Sequence, residues 1–233
     1  MTLSRRLSAE VLGSVLLTAT VVGSGVMAER LSGGNLAVAL LANTAATVAV
    51  LGVLITLLAP VSGAHFNPIV SIVMAIRRQL SWSDAGAYVL AQVAGCCSGA
   101  LLAHAMFGLP ILQASVHVRT GYGQWLAEFV ASFGLLFVVL AHRREHNVAW
   151  LVAAWIGAAY WFTASTSFAN PAITIARSVS DTFAGIRPID VPAFAGAQCL
   201  GALAALVITT KLFGTEPVRA ASRAEPVQST LTD

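Results

Sequence analysis

Ser62-Gly63-Ala64-His65-Phe66-Asn67-Pro68-Ile69-Val70-Ser71-Ile72 and Phe168-Ala169-Asn170-Pro171-Ala172-Ile173-Thr174-Ile175-Ala176-Arg177 each set Asn-Pro inside apolar sequence. A proline is tolerated in the first turn of a helix, where its missing N–H has no partner to lose. The asparagine before it can serve as the N-cap. Each stretch therefore reads as a short helix that begins at Pro68 or Pro171. Two such starts in matching halves of a membrane protein predict two half-helices that meet at mid-membrane.

Composition places these stretches in a bilayer. Of 233 residues, 57% are hydrophobic and only 10% are charged, against about 25% charged in a soluble domain. The net charge of +3 is spread over termini and loops, so no basic stripe points to nucleic acid. Cys96, Cys97 and Cys199 all lie in apolar runs and read as membrane packing. No CxxC or His/Cys cluster suggests a metal, and no cofactor is implied.

A spanning helix needs about 20 mostly apolar residues. The expected spans are 8–28, 36–58, 83–106, 122–142, 148–166 and 192–213. The first, behind Arg5 and Arg6, is too long for a signal peptide's apolar core of about 7–15 residues. The segments 61–82 and 167–191 hold the two Asn-Pro pairs. Each is too short for two crossings and too apolar for an ordinary loop, so each reads as a re-entrant loop plus half-helix. Such backbone survives at membrane depth only when buried in protein or lining a wet cavity. With the N-terminus inside, Arg5, Arg6, Arg77, Arg78, Arg143, Arg144, Lys211, Arg219 and Arg223 fall on the cytoplasmic side. Arg30, Arg119, Arg177 and Arg187 fall elsewhere. That bias predicts both termini in the cytoplasm. The polar tail 214–233 reads as disordered.

The order Ala-Glu, Asn-Pro, Ala-Gln occurs twice: Ala9-Glu10, Asn67-Pro68, Ala91-Gln92, then Ala127-Glu128, Asn170-Pro171, Ala197-Gln198. Three spans per half means that the second half enters from the opposite side. The chain therefore reads as one channel domain over 1–233, an inverted repeat of about 5–113 and 122–213, with its site where the Asn-Pro tips meet. Helix N-termini aimed at one point repel cations, and the Asn67 and Asn170 amides can donate to a neutral solute. Glu10 and Glu128 lie within spans, where a carboxylate is costly. They read as braces for the loop N–H groups, with a proton relay as the rival. His65 reads equally as a vestibule lining or as packing. No convincing nucleophile–base pair is present, so an enzyme ranks last.

On these motifs the chain resembles the aquaporin (major intrinsic protein) family along about residues 5–213. The resemblance implies six helices plus two half-helices, a homotetramer in lipid, and one pore per subunit for small neutral solutes. Two departures stand out. The family's first Asn-Pro-Ala is here Asn67-Pro68-Ile69, where a larger side chain is expected to reshape the tips' contact; the second, Asn170-Pro171-Ala172, is kept. The family's arginine after it is replaced by Ile173, with Arg177 one helical turn further on. Gapless counting carries the other constriction positions to Thr47, Ala158 and Ser167. Thr, Ala, Ser and Ile imply a wide opening with one apolar wall. The Asp that usually follows the arginine in glycerol facilitators is also absent. The pattern resembles a bacterial branch linked to arsenic resistance. That implies an inner-membrane channel for arsenous acid, with methylated arsenicals, glycerol or water as further solutes. A proton-coupled transporter using Glu10 or Glu128 and an ordinary water channel are the alternatives.

Overall fold

A computed structural model describes residues 1–142 and 147–214. The tail beyond Gly214, and Arg143, Arg144, Arg219 and Arg223 of the charge argument, lie outside the described residues. Among the described residues there are eight α-helices: α1 (Leu3–Leu31), α2 (Leu36–Ser62), α3 (Pro68–Ile76), α4 (Trp82–Met106), α5 (Tyr122–Ala141), α6 (Val148–Phe162), α7 (Pro171–Arg177) and α8 (Val191–Phe213). A 3-10 turn at Pro188–Asp190 leads into α8. The all-α architecture is that expected: α1, α2, α4, α5 and α8 are long and apolar enough to cross a membrane, and α6 is a shorter apolar helix.

Local chemistry sets the ends. The Asn35 side chain caps α2 by accepting from Ala37 N and Val38 N, and Ser81 caps α4 by accepting from Asp84 N. Gly63 ends α2 in the left-handed region at φ 91°, where a side chain would be strained. Asn67 and Asn170 cap α3 and α7, each followed by proline, so both half-helices start where the sequence places them. The fifth span is the exception. It stops at Phe162 rather than 166, because Thr163 turns to extended backbone and Thr166 and Ser167 take positive φ.

α1 packs on α4 and α2, α5 packs on α8 and α6, and α2 against α6 joins the halves. Small residues make the close approaches. A Cβ on Gly95 of α4 would lie 2.8 Å from the Val11 carbonyl oxygen of α1, and one on Gly201 of α8 would lie 2.2 Å from that of Phe129 in α5. These are the same contact in the two half-repeats. α3 and α7 both lie against α4 and α8 and touch each other. The segment 107–121 is tied to the loop between α7 and α8: Ser115 N donates to Ser178 O, and Arg187 N to His117 O.

Candidate functional site

The site grows from the two re-entrant loops. Asn67 Oδ1 accepts from Ile69 N at 3.1 Å, while its Nδ2 donates to Ala169 O of the other loop at 2.8 Å. Asn170 Oδ1 accepts from Ala172 N and Ile173 N, while its Nδ2 donates to Phe66 O at 2.7 Å. The half-helix tips are thus stapled to one another. Each amide nitrogen carries two hydrogens, so one remains for the lumen that both asparagines line.

The loops have costly backbone. Ala64, Phe66, Ser167 and Ala169 hold φ of 50°, 48°, 52° and 47°, at about 1–3 kcal/mol each. Two buried carboxylates over-determine that shape. Glu10 accepts from Ser62 Oγ, His65 N, Phe66 N and Gln92 Nε2 at 2.7–3.0 Å. Glu128 accepts from Phe168 N, Ala169 N and Gln198 Nε2 at 2.6–2.9 Å. Each glutamine also donates to the half-helix hydroxyl four residues past the asparagine, Gln92 to Ser71 and Gln198 to Thr174. The sequence shows the paired Ala-Gln motifs, but the partners of Gln92 and Gln198 lie in other helices and are seen only in the fold.

Between the tips runs a lumen of about 160 Å³. α2 contributes Thr47, Leu51, Ile55 and Ala59, and α6 contributes Val148, Val152, Ile156 and Tyr160. Steps of four put each set on one helix face. The helices run in opposite senses, so Thr47 in the first half of α2 meets Tyr160 near the end of α6, their hydroxyl oxygens 3.4 Å apart. Val70 and Met74 of α3 line the lumen, as do Ile173 and Arg177 at the same positions of α7. The two ends differ in chemistry: one carries Thr47, Tyr160, Ser167, Ile173 and Arg177, and the other carries Ala59, Ala64, His65, Val70, Met74 and Val148.

Thr47, Ser167, Ile173, Arg177 and His65 line the lumen. Ala158 does not. It is exposed and absent from the lumen wall, because two residues beyond Ile156 point to the far side of the helix. Tyr160 takes its place, so the expectation of uniformly small side chains at the constriction is corrected. Ile69 is buried at 2% exposure in the core rather than in the lumen, so its bulk is absorbed by packing. His65 does both things open to it: it lines the lumen, contacts Ser71 Oγ through Nδ1 at 3.0 Å and packs edge-on to Tyr88. Glu10 and Glu128 are fully buried outside the lumen wall, as braces require. Among the described residues no His/Cys/Asp/Glu group could hold a metal.

Arg177 is 4% exposed. Its Nε donates to Ala184 O, and its guanidinium lies 3.3 Å over the Phe168 ring. A second guanidinium, Arg119, lies 4.9 Å from that ring and donates to Gly185 O and Ser165 O.

Two asparagine-capped half-helices, stapled within an inverted repeat around a lumen, define a multi-pass membrane channel rather than an enzyme. The family model of the major intrinsic proteins matches residues 1–164, and the chain belongs to that family. It is 57% identical to aquaglyceroporin AqpS of Rhizobium meliloti over 208 residues, 88% of this chain and 89% of that one. It is 33% identical to aquaporin NIP6-1 of Arabidopsis thaliana over 60% of this chain and 45% of that one. The aquaglyceroporin of Plasmodium falciparum shares the fold, with a TM-score of 0.67 at 17% identity over 91% of this chain and 97% of that chain. The protein is a passive channel for small solutes.

Proposed function

We propose that the favoured solute is arsenous acid, with methylated arsenicals, glycerol and water as further permeants. One observation carries this reading: the Ser167 hydroxyl is buried, lines the lumen and has no partner among the described residues. An unpaired buried hydroxyl costs about 1–3 kcal/mol, which a hydroxyl-bearing solute relieves. Thr47 and Tyr160 add two more hydroxyls at the same end, and Ile173 gives an apolar wall. A compact neutral trihydroxy molecule suits that mixture. The similar Rhizobium protein, by its name an aquaglyceroporin, fits a pore wider than water needs.

The proton-coupled alternative loses its carriers. Glu10 accepts four hydrogen bonds and Glu128 three, and neither faces the lumen. Protonating either would break bonds that hold the strained loops. The proposed setting is the bacterial inner membrane, with both termini cytoplasmic and four copies assembled, each with its own pore.

The test is uptake of arsenous acid and glycerol, with osmotic water flow, in proteoliposomes. Arsenous acid uptake that follows its own gradient and ignores an imposed pH gradient supports the reading. Uptake no faster than in empty vesicles, or uptake driven by protons, overturns it.

A further inference from the structure

The lumen has lost the arginine that would occupy position 173, yet it is not without a cation at that end. Arg177 and Met74 hold the same position in the two half-helices, and both line the lumen. The quasi-symmetric pore thus has a guanidinium at one end and a thioether at the other. Arg177 Nε is spent on Ala184 O. Its two Nη groups have no hydrogen-bond acceptor among the described residues, and the residue lines the lumen. A guanidinium stays charged throughout the physiological range.

Its charge is also uncompensated. Among the described residues the ion pairs are Arg6–Asp84 and Arg187–Asp190, neither of which involves Arg177 or Arg119. Asp190 meets Arg119 only through that residue's backbone N–H. Glu128, the nearby carboxylate, is spent on Phe168, Ala169 and Gln198. Two guanidiniums therefore flank Phe168 with no ion-pair partner, and low-dielectric walls concentrate the field of the one that faces the lumen.

We propose that Arg177 is the cation barrier of this pore, displaced one helical turn from position 173, and that Arg119 is a positioning residue that fixes it through Phe168 and the Gly185 carbonyl. This inference rests on the channel reading above. The displacement separates two tasks that a single arginine at 173 would combine. Charge exclusion passes to Arg177, while Ile173 leaves the constriction free for a solute larger than water.

The experiment uses the full chain in proteoliposomes, with glycerol uptake and proton and sodium conductance read on the same preparation. Wild type is expected to pass glycerol with cation conductance close to that of empty vesicles. Arg177→Met, which copies the Met74 end, is expected to pass glycerol and to raise cation conductance by about tenfold or more. Arg177→Lys, which keeps the charge, is expected to stay within about threefold of wild type. Arg119→Met is expected to leak less than Arg177→Met, and Ile173→Arg added to Arg177→Met to restore tightness. Tight Arg177→Met vesicles that still pass glycerol overturn the proposal alone, as does an Arg177→Lys variant that leaks as much as Arg177→Met. A wild type that passes no glycerol overturns the channel reading and this proposal with it.

Discussion

Asn67 and Asn170 each donate an amide hydrogen to the other half of the molecule, Asn67 to the Ala169 carbonyl at 2.8 Å and Asn170 to the Phe66 carbonyl at 2.7 Å. The residues that face the solute are thus also the clasp between the half-helices. Asn170→Ala removes one of the clasp's two bonds and leaves the Phe66 carbonyl unpaired at membrane depth. The expected cost is about 1–3 kcal/mol, read as a lower unfolding temperature in detergent, together with a loss of solute flux. An unchanged unfolding temperature would contradict the clasp.

The carboxylate braces should be unequal. Glu10 gathers four donors and Glu128 three. A glutamine in either place turns one acceptor oxygen into a donor that faces other donors. Bonds to a charged group contribute about 1.5–3 kcal/mol each, so both Glu→Gln variants should lose several kcal/mol, Glu10→Gln more. Thermal unfolding of the two variants in one detergent checks the order. Wild-type flux should be indifferent to an imposed pH gradient, which a proton carrier at Glu10 or Glu128 would not allow.

Helix packing gives a prediction with an internal control. Gly95→Ala and Gly201→Ala drive a methyl into a backbone carbonyl of the neighbouring helix and should each cost about 1–3 kcal/mol. Gly196→Ala in α8 meets nothing within 4 Å and should be neutral or gain about 0.5–1 kcal/mol. Unfolding temperatures that fail to separate the pair from the control would remove the close-packing account.

Much of this was legible in the chain. The Asn-Pro caps, the Ala-Glu and Ala-Gln repeats and the two half-helices depend on local chemistry or on symmetry between halves, and both are written in sequence order. The α6 position was not. Gapless counting back from Asn170 reached Ala158 with no knowledge of where α6 ends. The second loop is longer, because α6 stops at Phe162 and residues 163–169 form the approach to Asn170. The signal was available elsewhere: Val148, Val152, Ile156 and Tyr160 repeat the four-residue step of Thr47, Leu51, Ile55 and Ala59. The Arg119–Phe168–Arg177 stack joins segments that share no motif and became visible only once the chain was folded.

Thiol chemistry reports which residues face the lumen. Cys96 is buried, Cys199 is exposed, and none of the three cysteines lines the lumen. Wild-type glycerol flux should therefore be insensitive to a small polar thiol reagent. Ser167→Cys places a thiol in the lumen wall, and flux through it should fall severalfold on treatment. An insensitive Ser167→Cys that still conducts would move Ser167 out of the pathway.

The most direct measurement of the central claim compares wild type with Ile173→Arg in proteoliposomes, following arsenous acid uptake and osmotic water flow side by side. Ile173 lines the lumen at the end that carries Tyr160, Thr47 and Arg177, and a guanidinium there fills space and adds charge. The account predicts arsenous acid uptake in wild type, and in the variant a fall of about tenfold or more with water flow retained. Arsenous acid uptake equal in the two proteins would contradict it, because the solute would then not be selected at Ile173.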